Sequence, residues 1–113
     1  MQSLRNIKKL GIMGGTFNPI HYAHLLSSSY VFEKYNLDKV IFIPTGEPPH
    51  KRNINIASGE HRYNMVNLAI KDNPNFLISN IEIKRDDITY TIDTLRQIKS
   101  MCNENTELYF ITG

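Results

Sequence analysis

With 113 residues, 41% of them apolar and 21% charged, the chain predicts one globular domain over residues 1–113 with a modest core. A net charge of +2 without a long basic run gives no support to a nucleic-acid binder. The single cysteine cannot form an internal disulfide, and no stretch is long and apolar enough to cross a membrane, so we expect a cytoplasmic protein without membrane contact.

The first predicted elements are a strand, a glycine turn and a helix. Residues 10–13 form a short apolar run that is typical of a strand. The pair Gly14-Gly15 predicts a turn after this strand, where backbone can come close to a ligand. Because Pro19 disfavours a helical residue before it, we expect a helix just after it, over residues 21–35.

Two histidines lie at the start of this helix. His21 and His24 are three residues apart and therefore share one face of its first turn. The unpaired N–H groups of a helix N-terminus, together with two imidazoles, suit a polyphosphate. A His-x-x-His pair can also bind a transition metal, but no Cys, Asp or Glu in the nearby turn completes a ligand set, so we predict no metal ligands. The glycine spacing matches neither a dinucleotide fingerprint nor a P-loop.

The clearest strand of the sequence is residues 39–44, a continuous β-branched and aromatic run typical of a central parallel strand. Asn36 before it is a candidate cap for the end of the helix. Strand, helix and strand together predict a right-handed βαβ unit, with a ligand crevice at the carboxyl ends of the strands.

Residues 45–57 form a loop too long for a mere connector. It contains His50, Lys51 and Arg52, a compact cationic group that could face an anionic nucleotide. From the spacing alone, a solvated basic loop is an equally good interpretation.

Three further elements follow. Ser58 is predicted to cap a helix that continues to about residue 71, in which we expect His61 to be solvated or structural. Residues 76–83 predict a strand exposed on one side, and residues 107–113 predict a fourth buried strand.

A further helix is expected to begin at Tyr90 or Thr91, with Thr91 as its N-cap. The Thr91 hydroxyl and the free amides of this helix start could hold a carboxylate. Capping and binding can coexist because both groups have spare hydrogen-bonding capacity.

Three separated motifs resemble bacterial nicotinate-nucleotide adenylyltransferase, a family of the nucleotidyltransferase superfamily. They are GGTFNPIHYAH at residues 14–24, PPHK at residues 48–51 and YTIDTL at residues 90–95. Ala23 stands where the superfamily signature usually has glycine, and we expect its methyl group to be tolerated. The resemblance extends from about Lys9 to the last residue. It implies a Rossmann-like α/β fold, a parallel sheet flanked by helices, truncated after the fourth strand, so that the chain is the N-terminal part of the enzyme.

The resemblance also implies a reaction and roles for named residues. In this family the phosphate of nicotinate mononucleotide attacks the α-phosphorus of ATP, which gives nicotinate adenine dinucleotide and pyrophosphate. By the same resemblance, Mg²⁺ is held mainly by the ATP phosphates. The implied ATP-binding residues are Gly14, Gly15, Thr16, Phe17, His21 and His24, of which the two histidines are also catalytic. The implied residues for nicotinate mononucleotide are Lys51, Tyr90, Thr91 and Ile92.

Two other interpretations remain open. A sister adenylyltransferase would share the first motif and use another phosphorylated acceptor, such as phosphopantetheine. Alternatively, the chain is a catalytically inactive nucleotide-binding fragment, held in a homo-oligomer or by a partner chain, because four parallel strands with half of their helices leave apolar faces exposed.

Overall fold

A computed structural model of the protein describes residues 4–46, 57–85 and 90–111. The elements are β1 (Lys9–Gly15), α1 (Tyr22–Lys34), β2 (Lys39–Pro44), α2 (Gly59–Ile70), β3 (Phe76–Ile78), α3 (Thr91–Met101) and β4 (Glu107–Ile111). The four strands pair in parallel, in the order β3-β2-β1-β4. The predicted Rossmann-like α/β architecture is confirmed.

The sheet separates two apolar clusters because successive side chains of a strand point to opposite faces. On one face, Ile12 and Ile41 pack with Ile98 of α3. On the other, Met13 and Phe42 pack with residues of α1 and α2. β2 is buried from Val40 to Pro44, as its apolar run predicts for a strand covered on both faces.

The end of α1 is fixed by Asn36, as predicted. Asn36 has a left-handed backbone with φ 54°, which asparagine tolerates better than most residues. The Leu37 N–H donates to the Phe32 carbonyl oxygen at 2.9 Å, and the Asn36 N–H donates to Glu33 O at 3.3 Å. These two bonds close the helix and direct the chain into β2.

The predicted glycine turn is wrong. Gly14 and Gly15 belong to β1, where they pair with Ile43 and Pro44 of β2. Neither glycine needs a positive φ, because the bond pattern with β2 keeps both extended. The chain turns only afterwards, at Phe17, whose φ is 51°, and a cis peptide bond joins Asn18 to Pro19.

The predicted strand over residues 76–83 is too long. Its last sheet hydrogen bond runs from Ser79 N–H to the Phe42 carbonyl oxygen, and β3 itself ends at Ile78. Beyond it a turn forms, in which the Lys84 N–H donates to Asn80 O at 3.0 Å. Ile81 is buried in the core from within this turn, which explains the apolar alternation that mimics a strand.

Two expectations about the last elements are also wrong. Within the described residues β4 pairs with β1 and is only partly buried, and Phe110 is 51% exposed. The N-cap of α3 is Tyr90, without a side-chain bond, and Thr91 is the first helical residue. Thr91 therefore has no capping role that competes with ligand binding.

Candidate functional site

A cavity of about 230 Å³ lies beside α3 at the carboxyl ends of β1, β2 and β4, and its lining residues include Gly14, Ile43 and Phe110. β1 connects through α1 to β2 on one side of it, whereas β4 on the other side is reached from β3 through α3. Such a reversal of strand order opens the crevice in which α/β proteins bind ligands. Gly14, Gly15 and Thr91 line the cavity together. The structure thus brings the predicted glycine pair next to one predicted substrate residue, although they are about 76 positions apart in the sequence.

The two glycines leave backbone open at this point. A Cβ atom added to Gly14 would meet nothing closer than 4.0 Å, so the strand backbone faces free space. A Cβ atom on Gly15 would lie 3.3 Å from the Phe17 ring, which is tighter than ordinary contact. The ring is buried and lies 6.0 Å from the Phe42 ring. Phe17 therefore anchors the turn through its side chain, and only its backbone is available to a ligand.

The histidine pair lies on the opposite side of the β1 exit from this cavity. The His21 N–H donates to Nδ1 of His24 at 2.9 Å, and the His24 N–H donates to His21 O at 3.0 Å. The two rings stack with centroids 5.6 Å apart, and the edge of Phe17 meets His24 at 5.0 Å. His24 thus completes the start of α1, a role that the sequence pattern did not predict.

This geometry determines where His24 carries its proton. Nδ1 accepts a hydrogen bond, so the neutral ring holds its proton on Nε2. Burial, and then the neighbouring His21, lower the pKa of His24 below its ordinary value. The lowered pKa favours the neutral ring, which donates from Nε2–H, in the ligand-free protein. None of the first-turn residues of α1 is acidic, so nothing there opposes an anion.

The remaining predicted substrate residues are distributed unevenly. Tyr90 and Ile92 are 59% and 53% exposed and do not line the cavity, so Thr91 alone of the three reaches it. Lys51 and the rest of its motif lie outside the described residues.

Two polar groups near the site were missed by sequence reasoning. Arg62 is fully buried and donates to four backbone carbonyl oxygens around the exits of β1 and β2. Its spacing from Val66 and Ile70, four and eight residues on, places it on the inward face of α2, and this was the available signal.

The second missed group connects the 82–85 turn to α3. The Thr94 hydroxyl donates to Glu82 Oε2 at 2.8 Å and accepts from Arg85 Nη1 at 2.8 Å. Arg85 Nη2 also donates to Gln97 Oε1 at 2.6 Å. Glu82 and Thr94 both line the cavity, so this chain of bonds forms part of its wall. No sequence signal links these positions, because their pairing depends on where the turn meets α3.

The side chains around the cavity offer few ligands for a metal ion. Within residues 4–46, 57–85 and 90–111, no three His, Cys, Asp or Glu side chains group as a metal site. Glu82 is the one carboxylate among the cavity-lining residues, and it already accepts a bond from Thr94. This set fits a Mg²⁺ ion held by phosphate oxygens better than one held in a protein cage.

Two features lie away from this site. A larger groove of about 710 Å³ runs along β3 and the end of α2, but no predicted site residue lines it. In the part of the chain that the structure describes, no helix has the length and apolarity needed to cross a membrane.

Comparison with known proteins places these features in a family context. The family described as cytidylyltransferase-like matches residues 12–113. A protein of Thermoanaerobacter sp. (strain X514) named "Probable nicotinate-nucleotide adenylyltransferase" is 53% identical over 105 residues, which cover 93% of this chain and 50% of that protein. A protein of the same name from Corynebacterium kroppenstedtii is 45% identical over 113 residues, 100% of this chain and 53% of that protein.

A solved structure shares the fold. The Plasmodium falciparum nicotinic acid mononucleotide adenylyltransferase complexed with NaAD superposes with a TM-score of 0.74 at 23% identity, over 91% of this chain and 50% of that one. The chain thus spans about half the length of the relatives and the structure that it matches.

Proposed function

The chain belongs to the cytidylyltransferase-like family, and from that premise we propose that it carries the ATP site and part of the acceptor site of a nicotinate-nucleotide adenylyltransferase. The reaction transfers the adenylyl group of ATP to nicotinate mononucleotide, an intermediate step of NAD biosynthesis. The observation that carries the proposal is the arrangement at the β1 exit. An open glycine backbone there separates a histidine pair on one side from a cavity containing Thr91 on the other.

The chemistry needs no nucleophile from the protein. An oxygen of the mononucleotide phosphate attacks the α-phosphorus of ATP, and the bond between that phosphorus and the α–β bridging oxygen breaks. The electron pair leaves with pyrophosphate. The protein contributes in-line positioning and stabilisation of the charge that develops on the phosphates.

The phosphate side of the site is the start of α1. His24 offers its Nε2–H from a ring fixed by the His21 backbone, and the exposed His21 ring stacks beside it. A phosphate oxygen near the His24 ring opposes the lowered pKa of His24 and favours its imidazolium form in the complex. Gly14, Gly15, Thr16 and Phe17 contact the adenosine side through their backbone.

The acceptor side is the cavity under α3. Thr91 offers its hydroxyl and a free helix-start amide to the nicotinate carboxylate. Glu82 also lines this cavity, and its carboxylate would repel the carboxylate of the ligand if nothing screened its charge. Arg85 lies one hydroxyl away from Glu82, through Thr94, and reduces this repulsion. Tyr90 and Ile92 are exposed beside Thr91, outside the cavity, so in this proposal they contact the acceptor beyond the cavity wall. Lys51, which lies outside the described residues, stays a proposed acceptor-binding residue.

Mg²⁺ belongs to the proposal as an ion that enters with ATP. When bound, it neutralises the charge of the leaving pyrophosphate. The residues of this chain orient the triphosphate and leave the ion to phosphate oxygens and water.

The proposal is tested by product analysis with each acceptor. Residues 1–113 are joined to the second half of the Thermoanaerobacter relative, and the fusion is incubated with Mg·ATP and either nicotinate mononucleotide or phosphopantetheine. We expect pyrophosphate and nicotinate adenine dinucleotide from the first acceptor and little product from the second. A preference for phosphopantetheine would assign the sister reaction. ATP binding without transfer to either acceptor would support an inactive nucleotide-binding fragment.

A further inference from the structure

Arg62 of α2 is fully buried, although its side chain is cationic. Its Nε donates to the Ala57 carbonyl oxygen at 2.9 Å. Its Nη1 donates to Thr16 O at 2.9 Å and to Thr45 O at 2.7 Å, and Nη2 approaches Gly46 O at 3.4 Å. One guanidinium group therefore contacts three separate segments of the chain.

Each of these segments borders the proposed nucleotide site. Thr16 follows β1 directly, between the glycine pair and the histidines. Thr45 and Gly46 follow β2, and Ala57 precedes α2. The backbone reinforces the arrangement, because the Thr45 N–H donates to Gly15 O at 2.9 Å.

The same cluster reaches toward the acceptor side of the cavity. A Cβ atom on Gly46 would lie 2.6 Å from the Glu82 carbonyl oxygen, so the segment after β2 lies directly against the 82–85 turn. Glu82 of this turn accepts a hydrogen bond from the Thr94 hydroxyl of α3. Arg62 thus sits where the ATP side and the acceptor side of the site are joined.

We propose that Arg62 is a positioning residue of the nucleotide site, which fixes the exits of β1 and β2 so that their backbone can receive ATP. The inference rests on the proposed function for the identity of the ligand. Removing a guanidinium group from water is costly, and an apolar side chain could fill the same volume in the core. What arginine adds is a planar fork of five donors that holds several carbonyl groups in one fixed arrangement.

Substitution separates this role from simple packing. Arg62→Lys keeps the charge but loses the fork, and Arg62→Met keeps most of the volume but loses both. Val66→Ala is the matched control, because Val66 is also fully buried on α2, one turn further on, and packs in the core rather than against the strand exits.

The experiment uses the isotope-labelled 113-residue chain, with Mg·ATP added stepwise and amide signals followed by NMR. We expect Arg62→Lys to shift the amide signals of Thr16 and Gly46 without ligand and to weaken ATP binding about tenfold or more per folded molecule. Arg62→Met should weaken it at least as much. Val66→Ala should lower the melting temperature while leaving ATP affinity within about twofold of wild type.

The outcomes separate the two proposals. The positioning role would be overturned if Arg62→Lys bound ATP within about twofold of wild type and left the amide signals of Thr16 and Gly46 unshifted. If the wild-type 113-residue chain does not bind ATP, the fusion described above decides whether the proposed function holds, and the ligand-free amide positions decide whether Arg62 holds the strand exits. If both Arg62 variants fail to fold, Asn18→Ala replaces them, because Asn18 Oδ1 accepts the Ala57 N–H at 3.1 Å and so holds the same segments together. We expect Asn18→Ala to weaken ATP binding about tenfold or more, and an affinity within about twofold of wild type would again overturn the proposal.

Discussion

His24 combines a structural bond and a proposed ligand contact in one ring, and two substitutions separate them. His24→Leu removes both functions. His24→Gln removes the imidazole, but its side-chain oxygen can still accept the His21 N–H, as glutamine does at this position of a capping box. The two variants should therefore differ in stability and agree in their loss of ATP affinity.

The magnitudes follow from the contacts of the ring. Losing the bond from the His21 N–H costs about 1 kcal/mol, and losing the edge contact with Phe17 costs about 0.5–1.5 kcal/mol. His24→Leu should thus reduce the free energy of unfolding by roughly 1.5–2.5 kcal/mol, and His24→Gln by about 0.5–1.5 kcal/mol. Without the hydrogen bond to a charged phosphate, each should lose about 1.5–3 kcal/mol of ATP binding, roughly 10- to 150-fold.

Urea unfolding measures the first quantity and titration calorimetry with Mg·ATP the second. Equal destabilisation by both substitutions would refute the capping role of His24. Wild-type ATP affinity in His24→Gln would refute its contact with phosphate.

The same geometry makes five further predictions. The pKa of His24 is lower in the folded protein than in the unfolded chain, so the unfolded chain takes up the proton at a higher pH. Lowering the pH from about 7.5 to 5.5 should therefore reduce the free energy of unfolding of the ligand-free protein. ATP raises that pKa, so ATP affinity measured by calorimetry should increase over the same range, and a pH-independent affinity would contradict the contact. His21→Ala in the fusion enzyme should lower kcat/KM, with a loss of roughly 2–4 kcal/mol of transition-state stabilisation. A kcat/KM within about threefold of wild type would count against a catalytic role. Gly15→Val should displace the Phe17 ring and reduce the free energy of unfolding by about 1–3 kcal/mol in urea, and an unchanged stability would show that the ring has room. Thr91→Val should raise KM for nicotinate mononucleotide about tenfold and leave ATP affinity unchanged, and a weaker ATP affinity would place the hydroxyl on the other substrate.

The sequence predicted the central architecture well because its signals are local. The run through β2 is apolar without interruption, Ser58 bonds the His61 N–H as an N-cap should, and Asn36 tolerates the left-handed backbone that ends α1. The glycine pair was misread as a turn because glycine also occurs in strands where another backbone or a ligand approaches closely.

The features that the sequence did not predict depend on tertiary contacts. Helical spacing places Arg62 on the inward face of α2, but an arginine is expected at the surface unless its acceptors are known, and the four carbonyl oxygens that it contacts come from distant segments. The apolar alternation at Ile81 and Ile83 is the same for a strand and for a turn that buries Ile81. Burial of β4 could not be judged from its composition, since an edge strand and a central parallel strand differ in what covers them.

The proposed phosphate site is tested most directly by a crystal structure of the chain with Mg²⁺ and a non-hydrolysable ATP analogue. We predict the adenosine against the backbone of Gly14 and Gly15, with triphosphate oxygens about 3 Å from the ring nitrogens of His21 and His24. A nucleotide bound in the groove along β3, with both imidazole rings unchanged and without contact to phosphate, would contradict the assignment.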